Sequence, residues 1–74
     1  MITTFGDNEF KATVEYKGGT RQTHMHEVIY YDNLAPDKKP FTNYVFNEDK
    51  QKGESDAIEM AQEFVRSREV KYGK

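Results

Sequence analysis

Only one stretch of this chain, residues 55–68, carries helical spacing, and what precedes it reads as strand and turn. Ala57, Ile58, Ala61, Phe64 and Val65 recur on one side of that helix and form a single apolar stripe, with Ala61 small enough to admit a closely packed sheet. Ser55 or Asp56 is placed to cap its start, and Asp56 with Glu59 three residues on makes an aspartate version of the capping box. Acidic residues crowd the first turns and Arg66 and Arg68 the last, which suits the helix dipole. A lone amphipathic helix needs a surface to cover its stripe. In 74 residues that surface is a small sheet, so the predicted class is α+β.

Residues 10–16 alternate, with Phe10, Ala12, Val14 and Tyr16 on one face and Lys11, Thr13 and Glu15 on the other. Gly18 and Gly19 follow and suit a two-residue hairpin loop, after which residues 20–31, rich in Thr, Val, Ile and Tyr, return antiparallel. If the glycines are the whole loop, Thr23, Met25, Glu27, Ile29 and Tyr31 share the core face with Val14. A loop one residue longer turns His24, His26, Val28 and Tyr30 inward instead. The first register is preferred because Met25, Ile29 and Tyr31 make the more apolar set.

Residues 32–40, with Pro36 and Pro40, read as a loop; 41–46 have strand composition; 47–53 read as a second loop; and 69–73 are either a short fourth strand or the frayed helix end. The expected architecture is a three-stranded antiparallel sheet with the C-terminal helix packed on one face and the other face open, in a single domain spanning residues 1–74.

A domain this small sits near the lower limit of independent stability, and with no Cys it has neither disulfides nor thiolate metal sites to help. Five Phe and five Tyr predict a small aromatic core. Residues 1–7 lack a basic and apolar leader, and no apolar run approaches the roughly twenty residues that span a bilayer. The expectation is a soluble cytoplasmic protein that does not engage a membrane.

Catalytic patterns are missing. His24 and His26 project from one strand face and could both reach one ion, yet two ligands fall short of a metal site, and in the preferred register Lys11 lies nearby. Ser55 is explained as a cap, and Glu59 and Glu63 on an exposed helix lack the apolar pocket that would separate acid and base roles. Gly18 and Gly19 precede neither a helix nor a Lys-Ser/Thr pair, so they do not form a phosphate loop. The chain is therefore read as a binding protein with no cofactor.

Its charge is uneven. Eleven basic and thirteen acidic residues leave a net charge of −2, which disfavours general nucleic-acid binding. Glu54, Asp56, Glu59 and Glu63 make an acidic helix ridge, whereas Arg66, Arg68, Lys71 and Lys74 make a basic tail. Such a ridge serves solubility and the helix dipole, and it also suits docking on a basic partner.

The order of Phe10 to Glu15, then Glu27-Val28 with Tyr30, then Ala57 to Ala61, and finally Glu69-Val70 resembles the small phage-encoded inhibitor of bacterial RNA polymerase found in short-tailed coliphages. That family is a strand-strand-helix-strand domain that docks largely through acids of its second strand and helix, aided by arginines in its last strand. The resemblance implies Glu27, Asp56 and Glu59 as partner-binding acids, with Lys71 and Lys74 loosely replacing the arginines; Glu63 joins them from the ridge. It implies a phage-like or mobile-element accessory protein that inhibits or modulates a host nucleic-acid-processing protein through a basic surface. An alternative is a DNA-binding domain, because three strands followed by a helix also resemble the arm-binding domain of phage tyrosine integrases. The sheet face would then bind through Lys11, Lys17, His24 and His26. The same open face also suits a homodimer interface.

Overall fold

The computed structural model describes residues 2–20 and 22–73; of the basic tail, Lys74 lies outside them. Among the described residues, strands β1 (Ile2–Gly6), β2 (Phe10–Gly19), β3 (His24–Asp32) and β4 (Phe41–Asn47) precede one helix, α1 (Lys50–Lys71). The strands form one antiparallel meander in the order β1-β2-β3-β4, and the helix covers one face. The α+β class follows, with four strands in place of three. The added strand is N-terminal, and residues 69–71 continue the helix, whose C-cap is Tyr72.

β1 is short and ends at Gly6, whose φ of +95° and contact with the Phe10 backbone leave no room for a side chain. Asp7 closes the turn that follows, its carboxylate accepting the Glu9 N–H at 2.9 Å.

The first hairpin corrects the preferred register. Val14 pairs with Val28 and Tyr16 with His26, so His26, Val28 and Tyr30 face the helix while Met25, Glu27, Ile29 and Tyr31 lie on the open face. Gly18 and Gly19 are strand residues, not the loop. A bulge at Lys17 takes up one extra residue, with Gly18 at φ +105° beside it. The turn itself is made by Thr20, whose N–H donates to the Thr23 carbonyl at 2.8 Å. β3 carries apolar residues on both faces, so alternation alone leaves its parity underdetermined.

The helix begins earlier than its apolar stripe. Asp49 is the cap, its carboxylate accepting the N–H groups of Gln51 at 2.9 Å and Lys52 at 3.3 Å, so Ser55 and Asp56 are interior residues. Gly53, expected in a loop, is buried in the first turn, where a side chain would press on His26 and Asn47.

The core is small and aliphatic, not aromatic. Ala12, Val14 and Val28 of the sheet meet Ala57 and Ala61 of the helix, and Phe5, Tyr30, Val45, Ile58, Phe64 and Val65 surround them half-buried. Two alanines at the contact bring the helix close enough to leave the larger rings at the rim. Phe10 is the aromatic exception and stacks on Tyr72 with centroids 6.0 Å apart.

The far end of the helix is pinned by Asp32. Its carboxylate accepts from Arg68 Nε at 2.9 Å and from the Tyr72 hydroxyl at 2.8 Å. Burial alone would raise the Asp32 carboxyl, but these hydrogen bonds, one from the Leu34 N–H and the Arg68 charge hold it below its ordinary value.

Candidate functional site

The helix lies mainly over β2 and β3, leaving β4 partly uncovered, and a shallow groove of about 430 Å³ runs between them. Tyr44 and Val45 line it from β4; Asp56, Glu59, Met60 and Glu63 line it from α1. The three acids follow one another at spacings of three and four residues, which keeps them on one flank of the helix. They are exposed, and among the described residues no ion pair engages them. A second recess continues the groove past Tyr30, Phe64 and Ser67.

Of the acids read from the sequence, the fold brings Asp56, Glu59 and Glu63 together and separates the others. Glu27 lies on the opposite face of the sheet, directly across from Glu15 on β2 and Tyr44 on β4. Glu54 sits on the other flank of the helix, in a recess with Tyr16, His26 and Lys50.

The alternative set divides as well. Lys11 and Lys17 are on the open face, but His24 and His26 are on the helix side. Lys17 donates to Glu15 at 3.3 Å, and this hydrogen bond, the Glu15 charge and the more distant Glu27 hold its ammonium above the ordinary value. Lys11 lies 5.2 Å from the centre of the Tyr31 ring. The open face thus presents Glu15 and Glu27 beside its lysines, a poor match to phosphates.

The two histidines have different surroundings. His24 Nδ1 and the Tyr16 hydroxyl share a hydrogen bond of 2.8 Å. His26 is 1% exposed, with neither ring nitrogen hydrogen-bonded among the described residues; the Tyr16 ring lies 5.2 Å away and Gly53 covers it. Desolvation lowers its pKa below 6.5; Glu54 opposes that shift, while Lys50 and His24 add to it. The neutral ring is a packing element. Among the described residues no three of His, Cys, Asp and Glu gather as a metal site.

A stability dependence on pH follows. Above 6.5 His26 is neutral in both states; below it the unfolded chain takes up a proton that the folded one resists, so stability falls as pH drops from 6.5 toward the lower folded value. Denaturant melts across that window are expected to show the loss, and His26→Phe to flatten it. An equal slope in both proteins would remove His26 as its origin.

The feature missed in the sequence is β4 as an edge. Its seven residues contain no charge, Pro or Gly, and Phe41, Tyr44 and Phe46 are 65%, 47% and 63% exposed. The strand composition was readable; its place at the margin of the sheet depends on strand order.

No family model matches the chain, and no curated protein or solved structure matches it. Among the described residues no helix is long and apolar enough to cross a membrane.

Proposed function

We propose that this chain is a protein-binding module that docks on a basic surface through Asp56, Glu59 and Glu63. The observation that carries the reading is their convergence on one groove, alongside a strand whose aromatic side chains are largely exposed. Three carboxylates without ion-pair partners among the described residues raise the local negative potential, which favours encounter with cations and selects against acidic partners. Glu27, on the far side of the sheet, takes no part in this contact.

In its finer form, the proposal is a phage-like or mobile-element accessory protein that inhibits or modulates a host nucleic-acid-processing protein. Such machines present basic channels for phosphate backbones, and a row of carboxylates offers them a competing anion. DNA itself is the weaker partner, because the lysines of the open face share it with Glu15 and Glu27.

The test is affinity capture with the tagged domain from a nuclease-treated extract of its native host. A basic protein retained at low salt and released by roughly 0.5 M salt, where the Debye length falls to a few ångströms, is expected. Retention that disappears with nuclease treatment would instead indicate nucleic acid as the ligand.

A further inference from the structure

β4 is unsaturated in three directions. Among the described residues it pairs with β3 on one side only, the helix covers little of its inner face, and its outer-face residues Tyr44 and Phe46 are exposed beside Glu27 and Met25. Edge strands are ordinarily blunted by charge, proline, bulges or shortness. Residues 41–47 carry none of the first two, and their pairing with β3 runs from Phe41 to Asn47 without a register shift.

One hydrogen bond locates the free edge. The Tyr44 N–H donates to Asn43 Oδ1 at 3.0 Å, a side chain of its own strand, which places that N–H away from β3. By the two-residue period of a strand, the N–H groups of Thr42 and Phe46 point the same way. A neighbouring strand can take over from the Asn43 amide without breaking the β3–β4 ladder.

We propose that β4 accepts an extended segment of a partner as a fifth antiparallel strand, with basic side chains at alternate positions facing Asp56, Glu59 and Glu63. This deepens the binding reading above and rests on it. The alternation follows from geometry: successive residues of the added strand point to opposite faces, so one set meets the acidic flank of the helix and the other extends the face of Tyr44 and Phe46. Asp56 to Glu63 rises about 10 Å along the helix, which two or three alternate strand positions match.

A second copy of the chain is the disfavoured occupant. Two β4 strands paired antiparallel would set both helices on one face of the joined sheet, with their acidic flanks turned toward each other. The opposite edge is also less suited, since β1 has five residues ending at Gly6, and the recess on that flank mixes Lys50 with Glu54.

The probe is a peptide about as long as β4, lysine alternating with valine and threonine, compared with a peptide of the same composition whose lysines are contiguous. NMR titration of the labelled domain is expected to show tighter binding of the alternating peptide and at least roughly tenfold slower hydrogen exchange at the amides of Thr42, Tyr44 and Phe46. Thr42→Pro removes one edge donor while sparing the ladder to β3, and is expected to weaken the alternating peptide roughly tenfold. Glu59→Lys is expected to weaken both peptides. Loss of binding in Glu59→Lys with full affinity in Thr42→Pro and unchanged exchange would overturn strand addition while leaving the acidic groove standing. Equal binding of the two peptides, or binding of neither, would overturn it too. If Thr42→Pro does not fold, the exchange rates of the wild-type amides decide.

Discussion

Val28→Asp is expected to leave the chain unfolded at 25 °C, whereas Ile29→Asp, one residue along the same strand, is expected to fold. Val28 is 0% exposed and lies in the core with Val14, Ala57 and Ala61. A carboxylate there has no partner and costs several kcal/mol, against a total stability on the order of 5 kcal/mol for a domain this small. Ile29 lies on the open face between Thr13 and Thr42, where water reaches an aspartate and the cost is about 1 kcal/mol of strand preference. Circular dichroism and urea titration of the two variants read the difference. The reverse pattern would restore the register in which Ile29 is the buried residue.

The combined reversal Asp56→Lys, Glu59→Lys and Glu63→Lys is expected to weaken binding to the basic partner at least about 100-fold, taking roughly 1 kcal/mol for each lost attraction and adding new repulsion. The fold is expected to survive, because all three side chains are exposed and surface changes away from caps and cores cost about 0.5 kcal/mol or less each. Added salt is expected to slow association of the wild type and to change that of the variant far less. Unchanged affinity in a folded variant would take the groove out of the binding surface.

The helix and three of its four ridge acids were legible because both depend on local spacing, while Glu54, read with them, lies on the other flank. Ala57 and Ala61 are buried and Ile58, Phe64 and Val65 pack around them, as their recurrence predicts; Asp56, Glu59 and Glu63 share a flank for the same reason. The first turn was not legible. Lys50, Gln51 and Lys52 supply no apolar signal, and Gly53 looks like a breaker until His26 is known to lie beneath it.

Hairpin parity was hidden by a different cause. A bulge at Lys17 changes the count by one, and β3 has apolar side chains on both faces, so neither composition nor alternation selects His26 and Val28 over Met25 and Ile29. That choice moved Glu27 to the far side of the sheet from the helix acids and removed both histidines from the open face. Likewise, the free edge of β4 is a property of strand order. Residues 2–6 occupy the margin beside β2, so β4 lies beside β3 at the other margin.

Site-specific photo-cross-linking in the native host tests the placement of the binding surface most directly. A benzophenone side chain is introduced at Met60, in the groove, and in a second protein at Lys11, on the open face across the sheet. A discrete protein adduct from position 60, absent from position 11 and lost on combined reversal of Asp56, Glu59 and Glu63, is the predicted result. An adduct from position 11 with none from position 60 would contradict it and move the binding surface to the open sheet face.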